Sequence, residues 1–170
     1  MGASASFPAA AFNDFTDAMF DILVYVFENY LPDACPQPDA LAKRLSAAGF
    51  EDEAISEALQ WLAGLERAQE DGGLCGRPTG VRIYSEAEVA KLPADCRGFL
   101  AFLEQEAAID ATAREMIVER AMAVERPTVH LGKFKVIVLM VMWRRQLSLD
   151  NLIFEDLLAE EDEIELPVMH

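Results

Sequence analysis

Three cysteines (Cys35, Cys75 and Cys96) and two histidines (His130 and His170) have the widest chemical scope in this chain. Their spacing argues against using it. No C-x-x-C pair occurs, and an odd thiol count fits a reducing compartment better than a disulfide frame. His130 follows Arg126-Pro127 in a connection, where solvation or capping is the simple role. No cluster of His, Cys or carboxylate residues stands at the spacing a structural metal needs. Cys96, beside Arg97 and near a helix start, could carry a lowered thiol pKa. Its register with Phe99, Leu100 and Leu103 makes a core thiol the simpler reading. No serine has a recognisable base. Gly72-Gly73 and Gly76 are not followed by the Gly-Lys-Ser/Thr of a phosphate loop. Neither an enzymatic activity nor a cofactor is expected, and a resident metal is not expected either.

Charge is what remains. The 30 acidic and 14 basic residues give a formal net charge of −16, which disfavours non-specific adhesion to nucleic acid or anionic membrane. The charge is uneven. Residues 1–72 hold 13 acids and 3 bases, residues 73–147 hold 9 acids and 11 bases, and residues 148–170 hold 8 acids and no base. Any contact with a polyanion must come from the middle block, through Arg97, Arg114, Arg120, Lys133, Lys135, Arg144 and Arg145. The plain reading of these cations is local pairing: Arg114 with Glu115 or Glu119, and Arg120 with Glu104 or Glu106 across a helix pair.

The strongest local pattern runs from Asp39 to Leu65. Leu41 and Leu45 stripe a short helix, and Gly49 stands where it would stop. Ile55, Ala58, Leu59, Leu62 and Leu65 then recur at helical spacing. Two helices joined by a short turn with glycine outline a helix-turn-helix. The second helix has the wrong charge for DNA: Glu51, Asp52, Glu53, Glu57 and Glu66 stand against Arg67. Phosphate contacts supply much of the affinity of DNA binders, so this face should repel a duplex. Glu51, Asp52, Glu53 and Glu57 are either a solvated face or a docking surface for a basic protein.

Other elements must position these faces. Residues 1–12 are rich in Ala and Ser and read as a loose tail. Asn13 or Thr16 can cap a helix to about Leu31, with Phe15, Met19, Ile22, Val26, Phe27 and Tyr30 inward. Pro32, Pro36 and Pro38 forbid its continuation. Val81 to Tyr84 alternates like a strand, with Leu74-Cys75 as its hairpin partner. Ser85 and Glu88 form a capping-box pattern. Asp95 can cap a helix lined by Cys96, Phe99, Leu100, Leu103 and Ala107, and Asp110 or Thr112 the one after it. Leu131 to Arg145 is β-branched in part but lacks a polar alternation, so it reads as a buried helix. Its apolar run, Val136 to Trp143, is about half a membrane span. Trp61 and Trp143 are expected as core anchors. Leu149 to Leu157 suggests a last amphipathic helix, and Glu155 to Glu165 an acidic tail without the glycine of a calcium loop. Met1-Gly2 with Ser6 formally fits a myristoylation pattern that no second membrane signal supports, and no secretory signal is expected.

Several strings together resemble the bacterial Smg family. They are Met19-Phe20-Asp21-Ile22-Leu23-Val24-Tyr25, Ala48-Gly49-Phe50-Glu51, Arg82-Ile83-Tyr84, Arg97-Gly98-Phe99-Leu100 with Glu104-Gln105, and Arg114-Glu115-Met116-Ile117, all within residues 19–145. The resemblance implies a small, largely helical cytoplasmic protein without an established biochemical activity. It also implies a start near Met19, which makes the first 18 residues an extension or an upstream start. The family's gene commonly neighbours that of a DNA-processing protein, which associates it with DNA metabolism.

The sequence therefore predicts an all-α protein with one small β-hairpin. Residues 1–18 form a flexible extension, 19–84 a winged-helix-like N-terminal unit, 85–147 a C-terminal helical bundle, and 148–170 a short helix with an acidic tail. The expected function is that of a non-enzymatic accessory factor in DNA metabolism, acting through a protein partner such as a DNA-processing protein. The alternative is a direct nucleic-acid binder that uses residues 73–147.

Overall fold

A computed structural model describes residues 9–71 and 82–147 and, within them, the side chains of 17–70 and 82–147. Among the described residues there are seven α-helices, one 3-10 turn and no strand. The chain divides into two compact units, Met1–Leu62 and Ala63–His170.

Helix α1 (Ala9–Asn29) begins before either predicted cap and stops ahead of the 3-10 turn Pro32–Ala34. Met19, Ile22 and Val26 are buried as the periodicity predicts, and Phe20 and Leu23 join them. Phe27 and Tyr30 are only half-buried. Proline at the first helical position starts α2 (Pro38–Ala47), where a missing amide proton costs nothing. Leu41 and Leu45, one turn apart, are its buried residues. The helix ends in a Schellman motif. Gly49 N–H donates to Ser46 O at 3.1 Å and Phe50 N–H to Leu45 O at 3.2 Å. Gly49 takes φ 101°, a left-handed value that glycine adopts without a Cβ penalty. Phe50 then meets Tyr25 of α1 edge-on, with ring centroids 5.6 Å apart. Helix α3 (Asp52–Asp71) buries Ala54, Ile55, Ala58, Trp61 and Leu65. Leu59 and Leu62, predicted inward, flank that stripe half-buried. Trp61 is a core anchor as expected, whereas Trp143 is half-buried.

The order of α1, α2 and α3 is the predicted one, and among the described residues no β-hairpin is seen. Arg82 to Tyr84 belong to no strand, and Leu74, Cys75 and Val81 lie outside the described residues. Side-chain demands account for the difference at Arg82, whose guanidinium is drawn to carboxylates on two later helices. The division between units also falls inside α3 and not in the glycine-rich link. Gly64 and Leu65 belong to the second unit, where the Arg120 guanidinium lies on Gly64.

In the second unit, α4 (Glu86–Lys91) opens with the predicted capping box: Glu88 N–H donates to Ser85 Oγ, and Ser85 N–H to Glu88 Oε2. Helix α5 (Ala94–Gln105) starts one residue earlier than its predicted cap. Pro93 takes that position, and Asp95 accepts from Cys96 N–H inside the first turn. Ala107, predicted on the inner face, is exposed in a left-handed conformation (φ 55°) after the helix has ended. Asp110 caps α6 (Ala111–Met122) by accepting from Ala113 N–H at 2.7 Å. Lys91 Nζ closes its other end, donating to Met122 O and Val124 O. Helix α7 (Leu131–Arg144) is the predicted buried helix: every residue from Phe134 to Met142 is buried. It packs on α6 and α5, and α4 and α5 also pack on α6. A helix apolar on nearly all sides needs neighbours all round, which is why it forms the core of the bundle. The predicted helix at Leu149–Leu157 and the acidic tail lie outside the described residues.

Candidate interaction surfaces

The acidic candidates occupy the start of α3. Glu51, Asp52 and Glu53 are exposed and Glu57 is half-buried, while Ala54, Ile55 and Ala58 on the opposite side are buried. Asp52 and Glu53 have a sufficient local reason to be there, since carboxylates in a first turn favour the helix dipole. Glu57 stands one turn after Glu53, and a like-charge pair at that spacing costs about 0.2–0.5 kcal/mol in an exposed helix. Among the described residues no ion pair engages Glu51, Asp52 or Glu53.

The seven basic candidates do not form one surface. Arg114 is buried, with Nη1 2.6 Å from Glu104 Oε1 and Nε donating to Glu115 Oε1 at 3.1 Å. Arg120 is also buried. It pairs with Glu119 on its own helix, whereas the sequence pointed to Glu104 or Glu106 across a helix pair. Arg114 has taken Glu104. Lys135 is buried with Nζ 5.2 Å from the Phe99 ring centre, a cation–π distance. Arg144 reaches Glu66 at 3.4 Å, and Arg145 reaches Asp110 at 2.9 Å. Lys133 is half-buried. Arg97 donates from Nε to Leu92 O and lies 5.9 Å from the Tyr84 ring centre.

Sequence reasoning missed Arg82, which it placed in a strand. Arg82 Nε donates to Glu115 Oε1 at 2.7 Å, Nη1 to Glu88 Oε2 at 2.8 Å, and Nη2 to both carboxylates. Glu88 therefore serves two purposes, capping α4 and holding Arg82. The Arg82 guanidinium keeps the Glu88 and Glu115 carboxyls below the ordinary glutamate value of 4.5. The only available signal was the capping box, which placed Glu88 but not its second partner.

Burial pushes the Cys96 thiol up to about 12, and its Sγ donates to Val129 O at 3.4 Å. It is a core thiol. His130 is an exposed N-cap of α7 that makes no side-chain capping bond. Among the described residues no group of three or more His, Cys, Asp or Glu could hold a metal ion, and no helix is long and apolar enough to cross a membrane.

Residues 19–166 match a family described as a protein of unknown function, DUF494. The chain is 53% identical over 155 residues to the Protein Smg homolog of Azoarcus sp. (strain BH72), covering 89% of this chain and all of that protein. It is 52% identical over 153 residues to the Protein Smg homolog of Aromatoleum aromaticum, covering 89% of this chain and 99% of the relative. This chain belongs to the Smg family. The Smg homolog of Herminiimonas arsenicoxydans is more distant, 42% identical over 158 residues, with 89% of this chain and all of the relative covered. No solved structure matches this Smg-family chain. All five strings that carried the resemblance lie inside the matched residues, so the Arg82 clamp and the acidic start of α3 do too.

The clamp makes a pH-dependent contribution. Both carboxyls are lowered in the folded protein, so the stabilisation is complete above the ordinary glutamate value and is lost as pH falls through the lowered values. Arg82→Met should lower the thermal midpoint at neutral pH. The gap between variant and wild type should close as the pH is taken progressively below 4.5. A gap independent of pH in thermal melts would assign the loss to packing alone.

Proposed function

We propose that this chain is a non-enzymatic cytoplasmic accessory protein that works by docking a basic protein partner on Glu51, Asp52, Glu53 and Glu57. One contrast carries the reading. The cations available for a polyanion are mostly committed to carboxylates of the same unit, while Glu51, Asp52 and Glu53 stand exposed and outside any ion pair among the described residues. That placement weighs against direct nucleic-acid binding, which needs Lys and Arg free to displace counterions. The setting in DNA metabolism, with a DNA-processing protein as partner, rests on the gene neighbourhood that goes with the Smg resemblance.

Glu53→Lys combined with Glu57→Lys tests the surface. Exposed interfacial charges are worth roughly 0.5–1 kcal/mol each and act mainly on association rate, so reversing two should weaken capture about tenfold. The loss should be largest at low salt, with the helical circular dichroism unchanged. The wild type should show no appreciable binding to duplex or single-stranded DNA at physiological salt. Equal capture by wild type and double variant across a salt series would remove the acidic face, and salt-dependent DNA binding would replace the reading with the direct binder.

A further inference from the structure

Residues 82–85 lead into α4 without helix or strand structure, yet they are firmly held. Arg82 is clamped by Glu88 and Glu115. Tyr84 is half-buried, with the Arg82 guanidinium 4.6 Å and the Arg97 guanidinium 5.9 Å from its ring centre. Between these two anchored side chains Ile83 is 90% exposed. Held, exposed, held is the alternation of an extended chain, in which successive side chains point to opposite sides. Among the described residues the main-chain groups of Ile83 and Tyr84 make no hydrogen bond. A single exposed isoleucine is ordinary on a protein surface. An isoleucine on a fixed mount, beside main-chain groups that make no hydrogen bond among the described residues, offers an extended segment an apolar contact and open pairing groups.

A second observation says what would sit there. Arg82, Arg114, Arg120, Arg144 and Arg145 each hold a carboxylate. Arg97 does not. Its Nε donates to Leu92 O at 3.1 Å and its plane lies by Tyr84, while its terminal nitrogens donate to nothing among the described residues. A guanidinium oriented in this way presents a two-pronged donor that matches a carboxylate. The net charge of the chain does not forbid an acidic ligand. Exposed charges are screened beyond about 8 Å at physiological salt. Glu88 and Glu115 are already bonded to Arg82, and Glu104 to Arg114.

We propose that Ile83 and Arg97 form a docking site for an extended peptide segment of a protein partner. An apolar side chain of the segment packs on Ile83, and an adjacent Asp or Glu, which points to the opposite side in an extended segment, bonds the terminal nitrogens of Arg97 beside Tyr84. The main chain at Ile83 and Tyr84 supplies strand-type hydrogen bonds, the mode in which backbone gives affinity and side chains give specificity. This site uses other residues than the acidic start of α3 and takes a ligand of opposite charge, so the two readings fail independently.

A displayed library of random short peptides, selected on the full chain, tests the site. Enriched peptides should pair a β-branched or aromatic residue with Asp or Glu. They should lose about tenfold in affinity to Arg97→Glu and to Ile83→Asp, consistent with one charge-assisted hydrogen bond and one apolar anchor. Selection on Arg97→Glu should enrich Lys or Arg instead. Circular dichroism checks that both variants fold, and Arg97→Gln replaces Arg97→Glu if the latter does not. No enrichment, enriched peptides without a carboxylate, or affinity unchanged in the variants would overturn the proposal. So would a concentration-dependent dimer abolished by Ile83→Asp, which would assign the site to a second copy of the chain.

Discussion

Val138→Asp should abolish soluble, helical protein. Val138 is fully buried in the middle of α7, with Ile137 and Leu139 on either side buried as well. A carboxylate there would replace an apolar side chain among apolar neighbours, and an unpaired buried charge costs about 3–5 kcal/mol. Folded domains hold together by roughly 5–15 kcal/mol in total, so the penalty consumes much of the margin. Val138→Ala separates charge from volume. It removes two methyl groups, should cost about 2 kcal/mol, and should leave a folded protein with a lower midpoint. Far-ultraviolet circular dichroism and a thermal melt decide the matter. An aspartate variant that kept both its spectrum and its midpoint would show that the α7 interior is open to water.

Gly64→Ala should destabilise the protein, against the usual sign for that change. In an open helix the substitution gains about 1 kcal/mol, because glycine loses more backbone freedom than alanine. Here a Cβ at Gly64 would stand 2.0 Å from Arg120 Nη1 and 2.6 Å from Arg120 Cζ. The Arg120 side chain is only 8% exposed and is tied to Glu119, so it cannot simply swing aside. Overpacking of this kind costs about 1–3 kcal/mol, which outweighs the propensity gain. Arg120→Ala should invert the sign. With the guanidinium gone the new methyl has room, and Gly64→Ala in that background should be neutral or stabilising by up to about 1 kcal/mol. Denaturant melts of the four proteins in this cycle measure the coupling. Additive effects would mean that the guanidinium does not rest on Gly64.

Periodicity and punctuation made most of the helices legible. Leu41 with Leu45, the glycine at 49, and the Ser85/Glu88 box each specify a local geometry that no distant residue can overrule. α7 was legible for a different reason: an apolar run with no polar alternation fits a surrounded helix and little else. Arg82 to Tyr84 belong to no strand because alternation alone is a weak strand signal. Arg82 has its alternation set by Glu88 and by Glu115, 33 residues away, and no pattern within four residues encodes that pairing. The burial of three basic candidates was illegible for a related reason. Charge counted along the chain carries no information on burial, so nothing in the sequence separated Arg114, Arg120 and Lys135, all three buried, from exposed cations. Arg97 was on the same footing in the sequence, and its open terminal nitrogens became visible only against its paired neighbours.

The position of α7 in the chain also bears on how the second unit is made. The helix that α5 and α6 pack against follows them in sequence, so a ribosome delivers α4, α5 and α6 before their shared core exists. Leu100, Leu103 and Ile117 must wait, bare, for a partner whose last residue is Arg144. Domains usually mature as units during synthesis, and exposed apolar surface in the interval favours misassembly. Lengthening that interval, for example by slow codons between Ala123 and His130, would raise the demand for chaperones without altering a single side chain.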